Sequence, residues 1–223
     1  MRLVTRTAKP GSLETNAAAW TKELMDLLQK GTAFDDIPKS LLNRYRKTDV
    51  QVSLRSMYQR KCCYCENLIG ISDYEHIDHL KPKSLRQFHQ LTFEWSNLHW
   101  SCQRCNQKKG NKWDDVNPIL DPTVDDPEEH LEFDITTCKI RPKNGSLRGR
   151  TTIEHTNLNR ESLVDARIKV RDKLRNIILR YKKAQSAEAK EMCEEDLLPY
   201  LQQSETISYT LLVRQILRQY GLL

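Results

Sequence analysis

No stretch of these 223 residues approaches the roughly 18 consecutive apolar positions of a membrane-spanning helix, and no cationic and apolar leader follows Met1. With 38% hydrophobic residues and a mean hydropathy of −0.70, the chain is expected to be soluble and cytoplasmic. It lacks low-complexity segments and internal repeats beyond two short cysteine pairs, which leaves one large domain or two small ones with a proper core. Lys and Arg are missing altogether between Asp114 and Asp134, where nine acidic residues stand. Basic side chains crowd the flanks instead: Arg44, Arg46, Lys47, Arg55, Arg60 and Lys61 on one side, then Arg141 to Arg150 and Arg167 to Lys183. The net charge of +6 is modest, so the pattern matters more than the sum. Such runs are usually solvated helix faces, but beside a nuclease site they would hold a phosphate backbone.

What is present in the middle third is more telling. Cys62-x-x-Cys65 and Cys102-x-x-Cys105 offer four thiolates at the spacing of a closed tetrahedral zinc site. In a reducing compartment this spacing favours metal over disulfide. The other three cysteines, Cys63, Cys138 and Cys193, read as buried free thiols. Between the pairs lies His76-Ile77-Asp78-His79, and the second pair runs into Asn106-Gln107-Lys108-Lys109-Gly110. Imidazole, carboxylate and carboxamide are groups for proton transfer and for hard metal ions. The expectation is one metal for the scaffold and a second for chemistry.

Periodicity predicts an α+β protein, mainly helical, around this centre. Ser12 is a candidate cap for a helix carrying Leu13, Ala17, Trp20, Leu24 and Leu28 on one face, stopped at Gly31. A second helix from about Thr48 sets Val50, Leu54, Met57 and Tyr58 on a stripe and delivers the chain to Cys62. Ile71 to Leu80 suits a hairpin strand ended by Lys81-Pro82. Asn117-Pro118, Asp121-Pro122 and Asp126-Pro127 resist helix and mark a connector. Beyond it come a hairpin from Leu131–Ile135 to Cys138–Arg141, a long helix bearing Leu163, Val170, Leu174, Ile177 and Tyr181, and a last helix with Val213, Ile216, Leu217 and Tyr220. The domain reading is 1–61 helical, 62–113 zinc-stabilised core, 114–134 acidic connector and 135–223 mostly helical.

The blocks Cys62-Cys63-Tyr64-Cys65-Glu66, Asp78-His79-Leu80-Lys81-Pro82-Lys83-Ser84, Trp95-Ser96-Asn97-Leu98 and Cys102 to Gly110 resemble the HNH endonucleases, of ββα-metal fold. More narrowly, the chain resembles the PtuB-like branch found in Septu anti-phage systems and in some retrons. That likeness leans on Cys-x-Tyr-Cys-Glu, on Pro-Lys-Ser, and on the stretch from Ile153 to Arg167 with its Thr-Asn-Leu-Asn-Arg. The resemblance implies that His79 is the general base, that Asp78 and Asn106 bind a catalytic Mg²⁺ or Mn²⁺, and that Asn97 positions the histidine through backbone hydrogen bonds. It also implies a structural Zn²⁺ on the four cysteines and a PtuA-like ATPase as partner, with a retron reverse transcriptase and its RNA/DNA as a further candidate. Many HNH sites carry histidines where this chain has Asp78 and Asn106. His76, two residues before Asp78 on a strand, is either a surface or supporting side chain or a sharer of the metal. His99 is expected to be packed, and Lys83, Lys108 and Lys109 are candidate phosphate contacts. Neither an RNA-stacking aromatic signature nor a base-reading helix is evident, so DNA is favoured and RNA or tRNA stays open. The competing reading is a zinc-stabilised adaptor with no catalysis, in which His79 is structural.

Overall fold

The computed structural model describes residues 1–70, 74–203 and 206–223. Helix α1 (Gly11–Gln29) buries Leu13, Ala17 and Leu24, the positions its spacing predicts, and leaves Trp20 and Leu28 half-buried at the core's edge. Pro10, not Ser12, stands at its N-cap: the Ser12 hydroxyl donates instead to Asp49 Oδ1 at 2.7 Å. That bond ties α1 to the first turn of α3 (Thr48–Met57), which buries Val50, Leu54 and Met57. Between them lies the single turn α2 (Lys39–Leu42).

The centre is a two-stranded antiparallel sheet and one helix. Strand β1 (Glu75–His79) pairs with β2 (Leu98–Cys102), so that Asp78 faces His99 and His79 faces Leu98 across the ladder. The predicted strand therefore forms from Glu75, and its first three predicted residues, 71–73, lie outside the described residues. Every residue of β2 is buried, and the chain turns at Cys102 directly into α4 (Gln103–Lys109). This places the second cysteine pair at the sheet-to-helix corner. The first pair is held to the same corner, because Cys63 N–H donates to Trp100 O at 2.8 Å.

The acidic stretch is packed rather than loose. Ile119 and Leu120 are buried, and Asp125 pairs with Arg148 while Glu128 receives Arg214 and Arg218. Part of the basic C-terminal charge is thereby answered within the protein. The expectation that all three Pro dipeptides avoid helix needs one correction: Asp126 caps a one-turn helix, α5 (Pro127–His130), with Pro127 at its first position, where no N–H is needed.

The predicted hairpin is present as β3 (Leu131–Asp134) and β4 (Lys139–Pro142). Helix α6 (Leu147–Thr156) follows, then the long α7 (Glu161–Lys183), α8 (Ala187–Leu201) and α9 (Thr210–Gln219). Neither α6 nor α8 announces itself by apolar spacing. In α6, Thr151, Thr152 and Thr156 form the buried face, with Thr152 and Thr156 hydroxyls donating back to carbonyls one turn earlier. Gly149 of α6 fits only as glycine, since a Cβ there would stand 2.4 Å from His130 O. The α+β, mainly helical expectation is borne out.

Candidate active site

Two polar centres sit on opposite ends of the β1–β2–α4 unit. In the first, Sγ atoms of Cys62, Cys65, Cys102 and Cys105 all lie within 4.8 Å of one another, fully buried. A zinc ion with about 2.3 Å Zn–S bonds in a tetrahedron needs sulfurs about 3.8 Å apart. Cys65 and Cys102 are 3.9 Å apart, so the four cysteines fit that ion with no ligand position left open. Arg160 stands against the cluster, its Nη1 3.4 Å from Cys105 Sγ and its Nη2 3.7 Å from Cys65 Sγ. Burial opposes the guanidinium charge, but the two sulfurs more than offset it and hold the Arg160 pKa above its ordinary value. Cys63, Cys138 and Cys193 are buried, as expected of small apolar side chains.

The second centre is built around His79, at the end of β1 and only 6% exposed. Its Nε2 lies 2.8 Å from the Thr92 carbonyl oxygen. A carbonyl only accepts, so Nε2 carries the hydrogen and Nδ1 keeps the free lone pair. Burial first, then the positive charges of Lys83, Lys109 and Arg46, push the His79 pKa down to about 3, against the support of Thr92. The imidazole is therefore neutral at pH 7. Asn97 fixes the loop that carries this geometry: its Oδ1 accepts from Lys81 N–H at 2.8 Å, and its Nδ2 donates to Lys81 O at 3.0 Å and Leu91 O at 3.2 Å. Leu80 N–H in turn donates to Asn97 O.

Asp78 points to the other face of the strand, as alternation requires. Its Oδ2 accepts from the Tyr64 hydroxyl at 2.5 Å, and its Oδ1 is 3.2 Å from Lys109 Nζ. Burial and the neighbouring Asp78 charge hold Tyr64 well above the ordinary phenol range, so it stays a donor. Lys109 also donates to His79 O at 2.6 Å and is 1% exposed. This corrects its assignment as a phosphate contact: Lys109 is an interior cation that neutralises Asp78 and braces the histidine's backbone. Asn106, half-buried, lies three residues before Lys109 and so on the same face of α4. The donors here are the oxygens a hard divalent ion prefers. They do not fit such an ion while the ammonium holds Asp78, because the carboxylate already has its cation.

Of the remaining expected residues, Lys108 is solvent-facing and Lys83 lies beside His79. His76 is half-buried near the start of β1. His99 is fully buried: Arg6 Nη2 donates to its Nε2 at 3.2 Å, so its Nδ1–H donates to Tyr58 Oη at 2.7 Å. It is a packed, neutral histidine, its pKa driven well down by burial and by Arg6. Residues missed from the sequence are Tyr45, whose ring forms a T-shaped pair with the His79 ring at a centroid separation of 4.7 Å, Tyr64, Thr92 and Arg160. Tyr64 carried a signal, since it lies inside the first cysteine pair. Tyr45 and Thr92 carried none.

Comparison with known proteins agrees with the central unit. The HNH endonuclease family model matches residues 62–112. The Septu protein PtuB of Bacillus mycoides (strain KBAB4) is 33% identical over 169 residues, covering 63% of this chain and 57% of that protein. The Septu protein PtuB of Bacillus thuringiensis is 37% identical over 114 residues, covering 51% and 42%. The chain thus spans about half the length of the curated relatives it matches. The resemblance to HNH endonucleases and to PtuB is borne out by these matches, and no retron protein is among them.

Proposed function

We propose that this protein is a phosphodiester-cleaving nuclease of the HNH kind, the cutting component of a Septu-type anti-phage system working with a PtuA-like ATPase. The observation that carries the reading is the tautomer of His79. Thr92 takes the Nε2 hydrogen and Asn97 locks the loop, which leaves the lone pair of Nδ1 available to accept a proton.

In this mechanism Nδ1 takes the proton of the water that attacks phosphorus, and the bond from phosphorus to the departing oxygen breaks. Thr92 supports the imidazolium that forms, as its carbonyl accepts from the ring in both protonation states. Asn97 holds ring position through the backbone on either side of Lys81. Asp78 and Asn106 are the residues that would hold a catalytic Mg²⁺ or Mn²⁺, in competition with Lys109 for the carboxylate, and the ion would supply charge to offset that of the phosphate. The structural zinc on Cys62, Cys65, Cys102 and Cys105 holds β2, α4 and the first knuckle together. DNA is the favoured substrate.

Purified protein is incubated with plasmid DNA and, separately, with tRNA, in Mg²⁺ or Mn²⁺. Cleavage that disappears in His79→Ala at unchanged melting temperature is the expected result. If wild type and His79→Ala are equally inert on both substrates with the partner ATPase added, the zinc-adaptor reading replaces this one.

A further inference from the structure

The HNH match begins at residue 62, yet the side chains that crowd His79 include several from before it. Lys39 opens α2, and Tyr45 and Arg46 lie in the turn that follows. Tyr45 is buried and packs against the His79 ring in a T-shaped pair, the ring centroids 4.7 Å apart and the planes at 89°. Two cations converge on that tyrosine. Lys83 Nζ is 3.4 Å from the Tyr45 hydroxyl and 4.6 Å from its ring centroid, and Arg46 Nε is 3.4 Å from the same hydroxyl. Lys83 also donates to Leu42 O at 3.1 Å.

Among the described residues, no carboxylate pairs with Lys83, Arg46 or Lys39. This is unusual company for a half-buried lysine, since buried charges are normally matched by an opposite one. The contrast is Lys109, a buried lysine paired with Asp78. Burial, then Arg46 and Lys39, pull the Lys83 pKa down to about 8, the mark of a cation held where its charge is unanswered. What relieves such a cluster is an anion.

We propose that Lys83 and Arg46, gathered by Tyr45 beside His79, form the seat of a phosphodiester of the nucleic-acid backbone. The segment from Lys39 to Arg46, outside the HNH match, is then part of the substrate site. The proposal rests on the nuclease reading and adds to it which residues hold the phosphate. Arg46 is exposed and offers the planar fork that meets two phosphate oxygens at once, while Lys83 acts as a point charge nearer the imidazole. No base edge is addressed by either group, so binding through this seat is independent of sequence.

The test uses full-length His79→Ala protein, a fluorescein-labelled 20-mer, no added divalent ion, and anisotropy at several salt concentrations. Arg46→Met and Lys83→Met should each weaken binding about tenfold and lower the salt slope by about one ion. Lys83→Arg should recover most of the affinity, and Lys190→Met on α8, an exposed lysine elsewhere, should cost less than twofold. Because Arg46 is exposed, its variant tests the seat even if Lys83→Met fails to fold. The proposal is overturned if Arg46→Met and a folded Lys83→Met bind as tightly as the Lys190 control. It is also overturned if inorganic phosphate protects the seat while oligonucleotide affinity ignores both variants, which would assign the seat to free phosphate. Retained cleavage by wild type with unaffected Arg46 and Lys83 variants would sink the seat alone, whereas absence of any cleavage by wild type would sink the nuclease reading.

Discussion

The sulfur centre and the His79 centre share one sheet and one helix, but they are built in opposite ways. Four like ligands from two short segments make the first, and a metal ion would satisfy them together. The second draws on residues from position 45 to position 109, and its Asp78 carboxylate is answered from within by Lys109 and Tyr64. One centre offers four sulfurs to a metal, and in the other the carboxylate already has its cation. The difference teaches where a metal would sustain the fold and where it would have to compete for a place.

The largest effect should come from breaking the sulfur centre. Structural zinc contributes on the order of 10 kcal/mol in small peptides, comparable to the net stability of a whole domain. Cys102→Ser, or exhaustive chelation, is expected to abolish cooperative thermal unfolding by circular dichroism, and metal analysis should find one zinc per wild-type chain. Retention of the melting transition without zinc would erase the contrast between the two centres.

Next in size is Lys109→Met. Removing one partner of a buried ion pair costs roughly 3–5 kcal/mol, because Asp78 is left charged without a counter-ion. Denaturant unfolding should show that loss in the absence of divalent ions. Mn²⁺ should restore part of it, with an affinity by calorimetry about tenfold above wild type. Equal Mn²⁺ affinity in the two proteins would mean that Lys109 and the ion do not compete.

Arg160→Gln sharpens the comparison from the sulfur side. A zinc ion on four thiolates leaves the cluster doubly negative, and Arg160 contacts two of the four sulfurs. Zinc release to a chromogenic chelator should be about tenfold faster in the variant. Asn159→Ala should change that rate little, because Asn159 holds β4 through Ile140 without touching sulfur.

The smallest effect is the pH dependence of His79. Its folded pKa of about 3 lies below the unfolded value of about 6.5, so the unfolded chain binds the extra proton between these limits. Stability from this group is complete above about pH 6.5 and is lost as pH falls toward 3. His79→Gln should therefore show a shallower acid limb than wild type over that window, measured as melting temperature against pH. Parallel curves would show that His79 does not stay neutral in the fold.

Much of the fold was legible because its signals are local. The stripes of α1, α3, α7 and α9 and the β3–β4 hairpin follow from spacing alone. Helix α6 was not legible, because its buried face is threonine, whose hydroxyls hide their polarity only once the helix has formed. Helix α8 was missed as well, since charged residues interrupt its apolar positions and Pro199 lies within it. In the site, Asp78, His79, Asn97 and Asn106 were named from motif blocks, and in the structure Asn97 bonds to the Lys81 backbone. Lys109 was read with Lys108 as a candidate phosphate contact because nothing in Asn-Gln-Lys-Lys-Gly tells which of two adjacent lysines turns inward. On a helix, neighbours differ by about 100°, and the packing of α4 on β1 makes the choice.

By itself the sequence determined the four-sulfur centre and the chemical types around His79, since cysteine pairing and residue identity are properties of a few adjacent positions. Only tertiary structure decided that Tyr45 and Arg46 join Lys83 at the histidine, that Lys109 closes on Asp78, and that Arg160 reaches the sulfurs. Those contacts link residues 31 to 95 positions apart. Charge and burial at such distances are set by the packed core, which no local run of residues encodes.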